Sequence, residues 1–180
     1  MKHSILTTLF ATFLACAPLR AESSADANLI DIASLDATAL KTENGASASV
    51  VDEAGAKAVR INFEASKGYP GVDFPSPDGV WDLSKFSGVT VDVTNEGGAK
   101  AGVAMRVENP GDWQTSPWNS EVSWIAPGAT SSVTVTFGQS FGQPGFQLNP
   151  STINKIKVFL NPPGQDGSIL VHSIHPAGAR

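Results

Sequence analysis

The sequence is poor in cysteine and in charge. Its single cysteine, Cys16, lies near the N terminus, so the rest of the chain has no disulfide or thiol chemistry available. Only 16% of the residues are charged, and Lys and Arg form no cluster. Residues 22–180 keep 10 of the 12 basic residues and all 17 acidic ones, a net charge of about −7. Because this acidic balance repels polyanions, we predict no nucleic-acid partner.

The first 21 residues have the pattern of a secretory signal peptide. A short basic start precedes an uncharged run from Ile5 to Pro18, and Ala21 is a small residue suited to cleavage. The run is too short for a spanning helix. We therefore predict cleavage after Ala21, a secreted or periplasmic protein, and no membrane association. The alternative is a lipoprotein anchored at Cys16, although Phe13 stands where a lipobox usually has Leu.

The remaining chain alternates between apolar and polar residues with the two-residue period of half-buried strands. Gly-rich and Pro-rich breaks separate the segments, and no amphipathic helix of useful length interrupts them. The predicted strands are Leu29–Ile32, Ala46–Val51, Val59–Phe63, Val89–Val93, Val103–Val107, Glu121–Ala126, Val133–Phe137, Ile156–Leu160 and Ile169–Ile174. This pattern predicts one all-β domain, an antiparallel β-sandwich over residues 29–176, after a flexible lead at 22–28.

Three of the four tryptophans lie close together, at positions 113, 118 and 124. Pro110-Gly111 and Ser116-Pro117 break regular structure before and between them, so we predict that a loop carries Trp113 and Trp118. Trp124 follows in the next strand, and we predict that it turns inward and packs in the core.

Indole rings beside polar side chains suit a ligand that is half apolar and half hydroxyl, which describes a sugar. We predict that Trp113 and Trp118 stack on sugar rings. The hydroxyl groups would be bound by Arg106, Asn109, Asp112, Gln114 and Asn119. The alternative is a loop that folds back on its own sandwich, with Trp113 or Trp118 sealing one end of the core.

We predict that the chain is not an enzyme and holds no metal. The carboxylates near the loop are Asp92, Glu108, Asp112 and Glu121, but nothing singles out the spaced pair that glycoside hydrolysis needs. No serine has the flanking glycines of a nucleophile elbow. His172 and His175 are three residues apart, which in an extended strand predicts opposite faces and no shared metal ion.

The order of four segments resembles the carbohydrate-binding-module-like β-sandwich that accompanies the catalytic barrels of agarases and related bacterial polysaccharide hydrolases. The segments are Trp81–Asn95, Met105–Asn109, Ala126–Gly128 and Ile153–Pro163. The resemblance extends from about Leu29 to Ile174. It implies a jelly-roll, galactose-binding-like fold with a carbohydrate-associated role.

The chain departs from this pattern in two places. Relatives usually have an Asp in the last strand, where this chain has Val171-His172-Ser173-Ile174, so the structural calcium ion of such domains lacks a carboxylate here. We therefore predict no cofactor. Only six residues follow Ile174, with no catalytic domain, so we expect a free-standing module or a fragment.

These observations together predict a secreted, monomeric, non-catalytic module that binds a polysaccharide, either a galactan or another neutral plant or algal polymer. The alternative function is a structural or adhesion module whose partner is a protein or the cell envelope. That alternative requires Trp113 and Trp118 to be buried and predicts no affinity for sugars.

Overall fold

In a computed structural model, which describes residues 27–64, 68–161 and 166–180, two five-stranded antiparallel sheets pack face to face. The predicted antiparallel β-sandwich is thus confirmed. The predicted signal peptide, its cleavage site and Cys16 lie outside the described residues.

Sheet A is formed by five strands that are far apart in the chain. Its strands, in spatial order, are β1 (Lys41–Glu43), β4 (Gly71–Pro75), β11 (Lys155–Leu160), β6 (Ala101–Glu108) and β7 (Trp118–Ile125). The strand β7 is therefore an edge strand. The loop that joins β6 to β7 contains the first of the clustered tryptophans.

Sheet B has the same size and also joins distant segments. Its strands, in spatial order, are β2 (Ala46–Glu53), β3 (Ala56–Phe63), β12 (Gly167–Ala179), β5 (Phe86–Asn95) and β8 (Thr130–Thr136). A small hairpin, β9 (Gln139–Ser140) with β10 (Gln143–Pro144), lies beside β7. Helical structure in the described ranges consists of one-turn 3-10 helices, and none of these is long enough to cross a membrane.

The core lies between the sheets and follows the apolar halves of the alternating strands. Val59, Val91, Met105, Val135 and Ile156 are each completely buried. Removing such side chains from water is the main favourable term in folding, about 25 cal/mol per Å² of apolar surface. Every second residue therefore points outward, and each sheet has one outer face.

Two strand predictions need correction. Leu29–Ile32 is not a strand: Leu29 makes one backbone hydrogen bond to Ile174, and its neighbours form turns while burying Leu29, Ile30 and Ile32 in the core. The strand predicted from Glu121 begins at Trp118, because it pairs with β6 as far as Glu108. Trp118 and Asn119 therefore lie in a strand and not in a loop.

Candidate functional site

The outer face of sheet A, which we call the A face, is rich in long charged and aromatic side chains. Strand register places these residues on it: Lys41, Glu43, Asp73, Gly102, Ala104, Arg106, Glu108, Trp118, Ser120, Val122, Trp124, Lys155, Lys157 and Phe159. Arg106 and Glu108 share the outward side of β6, as the alternation of Val103, Met105 and Val107 in the core requires. The loop after β6 lies at one end of this face.

Asn109 fixes the start of that loop. Its side-chain amide donates to the carbonyl oxygens of Asn149 (2.9 Å) and Thr152 (3.0 Å), and its side-chain oxygen accepts from the Asn149 amide (2.7 Å). These bonds join the loop to the one-turn helix Pro150–Thr152. The side-chain nitrogen and oxygen of Asn109 thus form hydrogen bonds within the protein, and these bonds position the loop.

Asp112 determines how the loop presents Trp113. Its carboxylate caps the one-turn helix Trp113–Thr115 by accepting from the Gln114 amide (3.0 Å), and Ser116 ends the turn at a φ of +56°. Trp113 is 57% exposed and Gln114 is exposed as well. A capped turn between two chain breaks therefore holds an indole ring at the surface.

Trp118 lies directly beside this turn, on the A face. Its indole nitrogen donates to the carbonyl oxygen of Trp113 (3.0 Å), and the guanidinium carbon of Arg106 lies 5.5 Å from its ring centroid. A guanidinium at this distance is attracted to the electron-rich ring face. The structure thus brings together three of the predicted site residues, Arg106, Trp113 and Trp118.

Asn119 lies on the other side of the same strand. It is completely buried, its side-chain oxygen accepts from the Gly138 amide (2.8 Å), and its nitrogen donates to the carbonyl of Phe146 (2.9 Å). It points inward because it follows Trp118 by one residue, and successive strand residues face opposite sides. In this structure Asn119 is not brought to the surface that Trp118 occupies.

Ion pairs cover the rest of the A face. Glu108 is nearly buried and pairs with Arg106 (2.6 Å) and Lys155 (3.0 Å), while Lys157 pairs with Glu43 on the far strand. Asp73 of β4 lies between these strands and pairs with Lys155 (3.6 Å), so four neighbouring strands contribute charges of alternating sign. The guanidinium that lies over Trp118 is therefore held in place by a buried carboxylate.

Two carboxyl groups of this network have shifted pKa values. Hydrogen bonds from Lys157 and Lys41 lower the pKa of Glu43 to about 2. Burial raises the pKa of Asp73 above its ordinary value, although Lys155 and Lys157 act in the opposite direction. One carboxylate oxygen of Asp73 is buried without a hydrogen-bond partner among the described residues. The ionised form of Asp73 is thus stabilised by the charges of nearby lysines more than by hydrogen bonds.

The prediction that Trp124 packs in the core is wrong. Trp124 is 52% exposed and belongs to the A face, opposite Gly102 of β6. The cause is its register: Ile125 is the core residue at that end of β7, so its neighbour must point outward. Trp118 and Trp124 are six residues apart in one strand, so alternation places both indoles on the same side of the sheet.

The prediction that His172 and His175 lie on opposite faces is also wrong. A bulge between Val171 and Ser173 of β12 inserts one residue, so His172 and His175 both lie on the outer side of sheet B. His172 bonds to Thr94 (2.7 Å), whereas His175 lies 3.3 Å from Asp92. In the three described ranges, no three His, Cys, Asp or Glu side chains form a group that could hold a metal ion.

The four carboxylates considered for catalysis are dispersed. Asp92 lies on the outer side of sheet B and Glu108 on the A face, with the whole sandwich between them. Asp112 caps its turn, and Glu121 accepts from the backbone amides of Val122 (2.9 Å) and Gly142 (3.1 Å). These positions do not form a pair across a shared cleft.

No family model and no curated protein sequence matches this chain. Among solved structures, an exo-β-agarase is similar with a TM-score of 0.63 and 15% identity, over 86% of this chain and 26% of the agarase chain. A further agarase gives a TM-score of 0.60 and 14% identity, over 84% of this chain and again 26% of that one. The present chain thus spans about a quarter of each agarase.

A second group of similar structures is matched over nearly its whole length. The family 11 carbohydrate-binding module from Clostridium thermocellum, solved in complex with a β-1,3-1,4-mixed-linked tetrasaccharide, has a TM-score of 0.56 and 20% identity, over 84% of this chain and 95% of that one. The solution structure of CtCBM11 has a TM-score of 0.59 and 18% identity, over 86% of this chain and 95% of that one. At these identities the similarity establishes a shared fold, the carbohydrate-binding-module-like β-sandwich that the sequence resemblance implied.

Proposed function

We propose that this protein is a non-catalytic module that binds a polysaccharide on the A face. The observation that carries the proposal is the cluster of Trp113, Trp118 and Arg106, in which one indole is exposed and the other is fixed by a hydrogen bond and a guanidinium. Fixed aromatic surfaces lose little conformational entropy when a ligand binds. They suit the apolar face of a pyranose ring.

The polar neighbours of the cluster supply the second half of sugar recognition. Gln114 is exposed and Asp112 keeps one carboxylate oxygen outside its capping bond, so both offer hydrogen bonds to hydroxyl groups. Arg106 is held by Glu108 and presents a planar donor beside the ring of Trp118. Such groups set the orientation of a ligand, while stacking supplies about 1 kcal/mol or more per ring.

Charge compensation on the A face favours a neutral polymer. The four cations of the network, Lys41, Arg106, Lys155 and Lys157, are each paired with one of three carboxylates, so the network has four positive and at most three negative charges and only a small net charge to attract an anionic group. The remaining chain is acidic, which adds repulsion for sulfated or carboxylated polymers. A galactan such as agarose is one candidate, and the mixed-linkage glucan bound by the similar family 11 module is another.

The alternative of a structural or adhesion module requires that Trp113 and Trp118 be buried. Trp113 is more than half exposed, and Trp118 is only partly buried on an outward face. Because exposed indoles are uncommon unless they contact something, these positions favour the sugar-binding proposal.

We further propose that residues 1–21 direct export of the protein from the cytoplasm. Export would give it access to extracellular polysaccharides. The support is the basic start, the uncharged run and Ala21 of the sequence. N-terminal sequencing of protein from the native host tests this: a start at Glu22 supports cleavage after Ala21. A blocked, lipid-modified start at Cys16 would instead support an anchored lipoprotein.

Affinity electrophoresis tests the function. Residues 22–180 are run through gels that contain agarose, mixed-linkage β-glucan, xylan or no polymer, beside Trp113→Ala and Trp118→Ala. We expect one polymer to retard the protein and both substitutions to reduce the retardation without unfolding it. Equal mobility in every gel would contradict the proposal.

A further inference from the structure

We propose that Trp124 is a further sugar-stacking residue beside Trp113 and Trp118, and that the bound polysaccharide lies along β7, between Trp118 and Trp124. This inference rests on the proposed function. It adds the direction of the bound chain and names a contact that lies at the opposite end of the A face from the Trp113 turn.

The indole of Trp124 packs against β6 at Gly102, where no side chain stands in its way. A Cβ atom on Gly102 would lie 3.0 and 3.1 Å from two carbons of the ring, and 2.0 Å from the carbonyl oxygen of Asn161. Only glycine allows this approach. The ring therefore rests on β6, and about half of the side chain faces solvent.

The two tryptophans are correctly spaced and aligned for one extended ligand. They lie on the same side of one strand, six residues apart, which corresponds to about 20 Å at 3.4 Å per residue. Between them on that face are only Ser120 and Val122, both short. The hydroxyl of Ser120 is bonded to the carbonyl of Met105 (2.8 Å), so the path between the rings is low and carries no charge.

The other direction across the A face is less favourable. A chain that ran from Trp118 across the sheet would pass over Glu108 and Lys155, directly beside the parallel row that contains Lys157 and Asp73. These charged groups are paired with one another, and Lys157 and Asp73 are almost completely buried. A neutral ligand gains little by competing with such pairs, because a broken pair leaves a charge without its partner.

A cleft of about 100 Å³ opens beside Trp124 and continues the path. Its lining includes Lys100, Gly102, Trp124 and Ser168. One ordered water needs about 10–15 Å³ of such volume, so this cleft has room for several waters or for the hydroxyl groups of a sugar ring. The cleft gives Trp124 polar neighbours, as the turn of Asp112 and Gln114 does for Trp113 and Trp118.

The arrangement predicts how affinity depends on ligand length. A ligand too short to reach from one ring to the other gains a single stack, whereas a ligand that spans about 20 Å gains both. A second stack of typical strength raises affinity roughly fivefold to tenfold. We therefore expect a step in affinity as the oligosaccharide is lengthened.

Titration calorimetry with agaro-oligosaccharides and with mixed-linkage β-glucan oligosaccharides, from two to eight sugars, tests the proposal. The protein is compared with Trp118→Ala, Trp124→Ala, Trp124→Phe and Thr134→Ala, the last lying on the outer side of sheet B as a control. We expect Trp124→Ala to remove the step while short oligosaccharides bind as before. Trp124→Phe should keep most of the step, and Thr134→Ala all of it.

If Trp124→Ala and the unchanged protein bind every length equally well, the proposal is wrong and the proposed function stands. If the unchanged protein binds no oligosaccharide and no polymer, both are wrong. Thermal unfolding of each variant separates lost contacts from lost folding. Trp124→Phe keeps an aromatic ring over Gly102, so it remains informative if Trp124→Ala is unstable.

Discussion

The two outer faces of the sandwich have the same architecture and opposite chemistry. Each belongs to a five-stranded antiparallel sheet, and each is built from the polar halves of alternating strands. The A face carries long charged side chains and two tryptophans. The outer face of sheet B, which we call the B face, carries mainly short hydroxyl, carboxyl and imidazole groups, with one long cation, Arg60, that pairs with Glu96. The short side chains are Thr90, Asp92, Thr94, Thr130, Ser132, Thr134, His172, Ser173 and His175.

Polar groups of the B face bond to one another. Thr90 bonds to Thr134 (2.8 Å), and Asp92 accepts from Ser132 and Ser173 (2.6 Å each). Burial raises the pKa of Asp92, but the serine hydrogen bonds outweigh it, so its pKa lies below the ordinary value. Short side chains of this kind form cross-strand pairs that stabilise a sheet and leave few groups for a ligand.

This difference shows that two-residue alternation predicts which side chains share a face of the sheet, but not whether that face binds a ligand. Both faces satisfy the same two-residue pattern, and only side-chain size, aromatic content and charge distinguish them. Trp124 on the A face and Trp113 in the turn at its end are each more than half exposed, whereas the B face has no large exposed apolar side chain among the described residues. Substitutions on the two faces should therefore act differently.

The largest effect is expected when the buried carboxylate of the A face is removed. Glu108→Ala leaves Arg106 without its carboxylate partner and Lys155 with only the more distant Asp73 (3.6 Å), and we expect a loss of about 3 kcal/mol in the free energy of unfolding. Urea denaturation measures it. The control Asp52→Ala breaks the exposed pair with Lys57 and should cost less than about 0.5 kcal/mol. Equal small losses would show that the A-face network is not a structural unit.

The next largest effect concerns Asn119, a predicted sugar ligand that the structure places inside. Asn119→Ala removes bonds to Gly138 and Phe146, and we expect a loss of about 2 kcal/mol in unfolding free energy. The comparison variant Gln114→Ala changes an exposed residue and should leave stability unchanged. Stability equal to that of the unchanged protein, with weakened polysaccharide binding, would restore Asn119 as a direct ligand.

A smaller effect is expected for the electrostatic positioning of Trp118. Arg106→Met keeps much of the side-chain length but removes the cation over the ring, and we expect polysaccharide affinity to fall about threefold to tenfold. Isothermal titration measures the change. The control Arg60→Met removes the partner of Glu96 on sheet B and should leave affinity unaltered.

The pH dependence of stability should show a modest effect of Glu43. Because its pKa is lowered to about 2 in the folded protein, its ionised form stabilises the fold above the unfolded value near 4.5. That contribution is lost as the pH falls from about 4.5 towards 2. Asp73 acts in the opposite direction, since its raised pKa favours the folded protein on acidification. Urea denaturation measures the free energy of unfolding of the unchanged protein and of Glu43→Gln between pH 6 and pH 3. We expect the difference between the two free energies to shrink as the pH falls. A difference that stays constant would contradict this role of Glu43.

Much of the fold could be predicted because five of the nine predicted strand segments follow the two-residue period closely in sequence. Val59–Phe63 and Val133–Phe137 are recognisable from alternation alone, and both proved to be strands. The short strands β1 and β4 could not be found in this way. Three to five residues do not establish a period, and Asp73 is buried only because lysines of other strands cover it.

The site was predicted less well, for reasons of geometry. Trp113 and Asp112 were located correctly at an exposed turn, because Pro and Gly mark chain breaks. Lys155 and Lys157 were visible as outward residues, yet their ion pairs with Glu108 and Glu43 join residues 47 and 114 positions apart and need the register between strands. The bulge that places His172 and His175 on the same side of sheet B has no recognisable signature in the sequence.

The most direct test of the account follows the indole NH resonances of Trp81, Trp113, Trp118 and Trp124 in ¹⁵N-labelled protein during titration with a soluble oligosaccharide. Single Trp→Phe substitutions assign the four signals, and Trp81, packed against the core beside Ile153, is the internal reference. The account predicts that the Trp118 and Trp124 signals move together with one affinity while that of Trp81 stays. Binding that leaves both A-face signals in place would contradict the assignment of the ligand to this face.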